Sequence, residues 1–417
     1  MRHGQRHGQR QGQGRARRAT AALAAVLTWA GLLAGAAGCS GGVDGLGIDR
    51  VLGKPQTPQD IIRISPGDGG KNVRPDQRVR VRVSSGRLES VRVVRHQDAE
   101  VTPVAGHITD EGMEWKPDDP KLALAAEYSV DAVALDGYGR RFARHSTFTT
   151  QVPAERFIAY VTPENRSTVG TGMIVSLAFN REIADRAAVE RAVRVTAKPA
   201  VEIRPHWFGK DRLDFRPEKY WKPGTKVTVD IGLRDVEGAR GVYGLQRKTV
   251  EFTVGRSQVS LVDAAAHTME VVRDGELLST VPITAGAPET TTWNGKMVVM
   301  EMYEVTRMNG QTVGFGGEYD IPDVPHAMRL TDTGTYLHGN YWSPNSPGVE
   351  NVSHGCVGLR DVQGGGSNTP ARWFYDRSLI GDVVEIVNSD DETVSPDNGL
   401  GGWNMGWKEW KAGAAVK

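Results

Sequence analysis

The chain reads as all-β: two small sandwiches in series, then a third, mostly β domain that closes with a short helical tail. Three observations predict this. Arg78, Arg80 and Arg82 alternate with Val79, Val81 and Val83, and Val91, Val93 and Val94 follow the turn at Ser85-Gly86; period two with one apolar face marks antiparallel strands with one wet side. Trp115-Lys-Pro, Tyr128-Ser-Val-Asp-Ala-Val-Ala-Leu-Asp136 and Ser146-Thr-Phe-Thr-Thr150 recur about a hundred residues later as Phe215-Arg-Pro, Thr225-Lys-Val-Thr-Val-Asp-Ile-Gly-Leu233 and Val250-Glu-Phe-Thr-Val254. That spacing of short strands is the size of an immunoglobulin-like sandwich. Helical periodicity is scarce, apart from a short piece near residues 184–192.

The chain opens with Arg2, Arg6, Arg10, Arg15, Arg17 and Arg18, carries no acid before Asp44, and then runs apolar from Ala19 to Gly38. A basic start followed by an apolar run and small residues is the layout of a secretory signal, and Arg17-Arg18 also permits twin-arginine export. Ala36-Ala37-Gly38-Cys39-Ser40 resembles a lipobox. Residues 1–38 are therefore expected as a signal peptide, Cys39 as a lipidated N-terminus, and residues 39–60 as a flexible Gly-rich tether. The alternative is a retained single span, since about twenty apolar residues cross a bilayer; both place the remainder on the extracytoplasmic face of the membrane. With the six arginines set aside from a net charge of +1, the rest of the chain carries −5, which argues against a nucleic-acid partner. The arginines at 78–82 then read as a solvated strand face.

The sandwiches are expected over 61–152 and 153–255. Neither holds a catalytic cluster, and His206-Trp207-Phe208 reads as a domain-packing plug rather than a sugar platform, so both serve as spacers. The third domain, 256–390, starts with a hairpin at Asp274-Gly275, with further strands over 280–284, 291–305 and 328–338. Between the last two, residues 308–325 carry Gly310, Gly314, Gly316 and Gly317. An excursion of this length beside a catalytic strand is expected as a substrate lid, the alternative being a wide hairpin loop. In the tail, 391–417, Trp403, Trp407 and Trp410 stand at i, i+4 and i+7, one face of a helix expected to pack on the catalytic domain.

The chemistry concentrates in Tyr336-Leu-His338-Gly-Asn-Tyr-Trp342 and Ser353-His-Gly-Cys356-Val-Gly358-Leu-Arg360. A thiol is a strong nucleophile as thiolate, and an adjacent imidazole generates it near neutral pH; His338 is that imidazole. Gly355 lets the chain approach a bound carbonyl, where the amides of Gly355 and Cys356 donate to an oxyanion. The alternative, Cys356 as a buried filler and His338 as a satisfied core histidine, leaves an unpaired thiol in an exported chain unexplained. Cys39 and Cys356 are the two cysteines, and no disulfide is expected between them. The ten histidines show no ligand spacing, so neither metal nor cofactor is expected.

His338, fourteen intervening residues and Ser353-His-Gly-Cys356 resemble the signature of the L,D-transpeptidase catalytic domain, or YkuD domain. Residues 256–414, including Arg372-Trp-Phe-Tyr-Asp376, the stretch from Gly381 to Val387 and the tail from Gly399 to Trp410, resemble actinobacterial members, in which two immunoglobulin-like domains precede the catalytic one. The resemblance implies Cys356 as nucleophile, His338 as base oriented by the Gly339 carbonyl, and Tyr319, Trp342, Ser353, His354 and Arg360 around the substrate. It implies peptidoglycan stem peptides as donor and acceptor, a 3→3 cross-link made through a cysteine thioester with release of D-alanine, and acylation by carbapenems. One departure stands out: Gly358 occupies the place of the family's usual Asn, whose work is expected to fall to backbone or water. An L,D-carboxypeptidase hydrolysing the same thioester and a sortase-like transpeptidase are the alternatives. Sortase shares the order His, Cys, Arg but not Ser-His-Gly before the cysteine; in papain-like peptidases the cysteine comes first.

Overall fold

Alternating sequence sorts the first sandwich into two faces. The computed structural model describes residues 56–417 apart from 110, 314 and 315; the expected signal peptide, the expected lipidation site Cys39 and most of the expected tether lie outside the described residues. Val79, Val81 and Val83 turn into the core with Trp115, Tyr128 and Phe148. On the wet side Arg63 faces Arg82 across the strands Ile62–Ser65 and Arg80–Val83, and Arg82 donates to Glu114 at 3.0 Å. The two sheets have four and five strands.

The second sandwich repeats the plan with two four-stranded sheets and a three-stranded addition. Its helix, Arg186–Arg191, starts where Asp185 accepts the Ala188 N–H at 2.9 Å, an N-cap. Polar contacts join the sandwiches: Gln97 donates to Asp235 at 3.2 Å, and Arg234 meets Asp98 at 3.3 Å and Glu100 at 3.7 Å.

The third domain is a nine-stranded sheet. In spatial order its strands are Gly295–Val298, Val383–Val387, Gln258–Asp263, Thr268–Arg273, Glu276–Thr284, Val357–Arg360, Tyr336–Asn340, Asp320–Arg329 and Glu301–Asn309. Asp274 and Gly275 both take positive φ, 50° and 90°, the backbone of a type I′ hairpin. The glycine-rich excursion is narrower than expected. Glu301–Asn309 pairs with Asp320–Arg329 from Glu301 and Arg329 to Asn309 and Asp320, and the turn Gly310–Val313 follows. The excursion is thus the tip of a long β-hairpin.

The tail departs from the sequence expectation in two ways. It is not one helix: Trp403 lies in the turn Gly401–Asn404 and only Trp407 and Trp410 share the helix Trp407–Ala412, which begins after Gly406. It also packs on the second sandwich. Trp410 is fully buried and its Nε1 donates to the Arg204 carbonyl at 2.9 Å. Its own carbonyl accepts His206 Nδ1 at 2.8 Å, with the two rings stacked 4.9 Å apart. Trp403 Nε1 donates to the Gly172 carbonyl at 2.7 Å. The physical reason is Arg216: its buried guanidinium lies 4.8, 5.3 and 4.4 Å from the rings of Trp403, Trp407 and Trp410 and donates to the Met405 carbonyl at 2.8 Å, so the three indoles and the tail backbone together compensate a desolvated charge. His206-Trp207-Phe208 is the plug that receives the tail.

Catalytic domain and second sandwich also meet backbone to backbone. Gly170 N–H donates to the Ile380 carbonyl at 2.8 Å and Gly172 N–H to the Gly381 carbonyl at 2.9 Å. A Cβ on Gly170 would come 2.3 Å from the Asp382 nitrogen, so glycine is needed for this approach.

Candidate active site

Two adjacent parallel strands hold the reactive pair. Tyr336–Asn340 runs beside Val357–Arg360 with Leu337 opposite Val357, His338 opposite Gly358 and Asn340 opposite Arg360. Cys356 immediately precedes the second strand, so by period two it shares a sheet face with Gly358, Arg360 and His338.

His338 is buried and its Nδ1 donates to the Gly339 carbonyl at 3.1 Å. That bond fixes the tautomer and leaves Nε2 with a lone pair. Burial lowers the imidazole to about 4 against the stabilising bond to Gly339, so the ring is neutral at pH 7. Gly339 has no side chain for a reason: a Cβ there would lie 2.3 Å from Asp361 Oδ2. Asp361 is held against it by His326 Nδ1 at 2.6 Å. Burial alone would raise the Asp361 carboxyl, but His326 and the amides of Gly366 and Val362 hold it below the usual carboxylate range.

Cys356 is partly buried. Its thiol donates to the Gly334 carbonyl at 3.6 Å, and burial pushes it up to about 11, partly offset by a hydrogen bond from the Tyr336 backbone. Gly355 takes φ +104°, where a side chain would be strained. Ser353 builds this turn: its Oγ donates to the Cys356 carbonyl at 2.6 Å and accepts the Gly355 N–H at 3.2 Å. Ser353, expected around the substrate, here shapes the turn, and the Gly355 N–H, expected at an oxyanion, here donates to Ser353 Oγ.

The remaining expected residues divide between the hairpin tip, the imidazole and the strand's end. His354 Nε2 lies 3.2 Å from Glu318 Oε2 and its ring 5.0 Å from that of Tyr319, tying the hairpin tip to the turn before the cysteine. The Tyr319 hydroxyl is pushed up to about 12 by burial first and then by Cys356 and Tyr336. Trp342 stacks on His338, 5.3 Å between centroids and 20° from parallel. Arg360 is exposed at the strand's end. The sequence reading missed Tyr336, whose hydroxyl is raised by burial and, among its neighbours, by Cys356; its position two before His338 on one strand face was the available signal.

The L,D-transpeptidase catalytic domain model matches residues 257–386, and a bacterial Ig domain matches residues 70–237, across the first sandwich and most of the second. L,D-transpeptidase 2 of Mycobacterium tuberculosis is 32% identical over 393 residues, covering 92% of this chain and 93% of its own. The chain belongs to the L,D-transpeptidase family. L,D-transpeptidase 5 of the same organism is 27% identical over 88% of this chain and 80% of its own. The solved structure of LD transpeptidase LdtMt1 in complex with imipenem is 30% identical, covering 56% of this chain and 100% of that one, with a TM-score of 0.47. In this L,D-transpeptidase, position 358 is glycine and faces the Asn340 side chain.

Proposed function

We propose that the protein forms 3→3 cross-links between peptidoglycan stem peptides. The observation that carries this is the pairing of a partly buried thiol with a neutral imidazole on one sheet face, the imidazole's Nδ1–H already committed to Gly339. In the first half-reaction the thiol leaves the Gly334 carbonyl and gives its proton to His338 Nε2. Sulfur attacks the carbonyl carbon of the third residue of a donor tetrapeptide, and the Cys356 N–H stabilises the oxyanion. The C–N bond to the terminal D-alanine breaks, His338 protonates the leaving amine, and a thioester remains. In the second half, the side-chain amine of an acceptor stem gives a proton to His338 and attacks the thioester. The new C–N bond forms, the C–S bond breaks, and sulfur regains the proton. Arg360, exposed at the end of the strand Val357–Arg360, would meet a stem carboxylate.

Purified protein incubated with disaccharide tetrapeptide should give a dimer lighter by one D-alanine, seen by mass spectrometry, and Cys356→Ala should give none. Tripeptide without dimer would make the protein an L,D-carboxypeptidase; no product from either route would overturn the reading. The same thiol should gain the mass of a carbapenem, and Cys356→Ala should not. The basic start, apolar run and Cys39 support anchoring of this enzyme by lipid outside the membrane. A clickable fatty acid should then label wild type and not Cys39→Ala; an unlabelled but membrane-bound wild type would make the apolar run a retained span.

A further inference from the structure

A second buried pair of titratable side chains adjoins the peptide that follows His338. His326 and Asp361 are both buried, and His326 Nδ1 lies 2.6 Å from Asp361 Oδ2. The other carboxylate oxygen is occupied as well: Oδ1 accepts the Val362 N–H at 2.8 Å and the Gly366 N–H at 2.9 Å. The His326 ring is in turn enclosed. Tyr375 lies 5.4 Å from it, and Nε2 is 4.0 Å from Glu304 Oε2, which also pairs with Arg372 at 3.0 Å. A Cβ on Gly365 would come 3.0 Å from His326 Cε1. The His326 backbone is left-handed, φ +49°, a conformation uncommon for a residue with a side chain and kept where the surroundings enforce it. What the pair presses on is the peptide that orients the base. Of the atoms a Cβ on Gly339 would meet, Asp361 Oδ2 is the nearest at 2.3 Å, followed by Asp361 Cβ and Pro325 Cγ, both at 2.8 Å. One residue on, the Asn340 carbonyl accepts the Asp361 N–H at 3.2 Å, and the Asn340 side chain is tied to Ser343, Oδ1 at 3.0 Å and Nδ2 at 3.3 Å. The Gly339 carbonyl, which accepts His338 Nδ1, lies along the chain between these two contacts with Asp361.

Resting on the reading of His338 as the base for Cys356, we propose that Asp361, pinned by His326, is a positioning residue that fixes the peptide between Gly339 and Asn340 so that its carbonyl meets His338 Nδ1. The contact with Gly339 does this, and not the negative charge. The tautomer of a buried imidazole follows the hydrogen bond made by its other nitrogen. A peptide free to rotate at Gly339 would turn its carbonyl from Nδ1 and let the proton move to Nε2, where the ring cannot take a proton from the thiol.

The test uses the full chain and two readouts. One is NMR of protein labelled at its histidine nitrogens, with the His338 signals assigned by their loss in His338→Gln. The other is the rate of Cys356 alkylation by iodoacetamide from about pH 5 to about pH 9. Wild type should carry its proton on Nδ1 and react at a nearly constant rate. In Asp361→Ala both nitrogens should move toward an average of the two tautomers, and alkylation at pH 7 should fall by about tenfold or more and climb with pH, as unassisted thiol chemistry does. Asp361→Asn keeps atoms against Gly339 and an acceptor for the Val362 and Gly366 amides; it should keep the wild-type tautomer and react within a few-fold of wild type. His326→Asn suits a left-handed backbone, leaves both amide bonds to Asp361 in place and loses the reach to Oδ2. It should shift the tautomer in the same direction as Asp361→Ala, and it decides the matter where that variant folds poorly. The proposal is overturned if Asp361→Ala and His326→Asn keep the wild-type tautomer and pH profile, whatever their melting temperatures, since the carboxylate would then serve only its own turn. It is also overturned if Asp361→Asn is as defective as Asp361→Ala. Neither readout involves stem peptide. A wild type that makes no cross-link would remove the transpeptidase reading and leave the tautomer result standing, whereas an unmoved tautomer in an active enzyme would remove only the positioning role.

Discussion

Burial acts on Cys356 and His338 in opposite directions, lifting the thiol to about 11 and lowering the imidazole to about 4. Between those values the resting pair is uncharged, and a thiolate exists only when its proton passes to His338. His338→Ala should therefore make carbapenem acylation rise about tenfold per pH unit toward the thiol's own pKa, against a flat wild-type profile; a flat variant would show that another group takes the proton. Stability moves as well. Because the folded imidazole titrates below its unfolded value of about 6.5, its share of stability is complete above that value and declines as pH falls toward 4. Chemical denaturation at pH 7 and pH 4 should show wild type losing on the order of 3 kcal/mol more than His338→Gln. At this scale the sequence was legible where a side chain has one job. His338 and Cys356 needed only a strand and a glycine turn. Ser353 was not legible, because only the folded turn shows its hydroxyl bonded to both Cys356 and Gly355, and Asn340 was not, because its bonds to Ser343 form only in the closed turn.

The hairpin of Glu301–Asn309 and Asp320–Arg329 brings its tip to the turn before Cys356 through the Glu318–His354 contact at 3.2 Å. An exposed pair of this kind contributes about 0–1 kcal/mol, enough to alter the population of the docked tip by up to about fivefold. Glu318→Ala should speed Cys356 alkylation by a few-fold at most while leaving the melting temperature unchanged, and an equal melting loss would show that the contact is structural. The sequence announced the excursion through its glycines and underestimated the strands. Pro322 and Pro325 argue against a paired strand, yet Pro325 sits opposite Val305 within the ladder, where neighbouring residues carry the pairing. The repeat of the two sandwiches was legible because each strand reports its own burial by alternation. The tail's partner was not, since no local pattern marks Arg216 as different from the solvated arginines of the first sandwich.

The second sandwich draws residues of the catalytic domain and its tail into its own core. Val298, Leu400 and Trp410 belong to the core of the sandwich, while the core of the nine-stranded sheet stands apart. Residues 256–417 are therefore expected to be stable only together with the second sandwich. Trp410→Ala should destabilise this body by about 3–5 kcal/mol and lower the melting of sandwich and catalytic domain together; two separate transitions, with only the catalytic one shifted, would refute this dependence. The bond between His206 and Trp410 joins positions 204 residues apart. Its consequence lies in time. A chain that emerges N-terminus first holds a second sandwich lacking one wall until the whole catalytic domain has followed it, so maturation of the two is a single late event. A chain interrupted inside the catalytic domain leaves Arg216 and Phe208 uncovered, and proteases surveying unfinished chains meet both domains as one substrate.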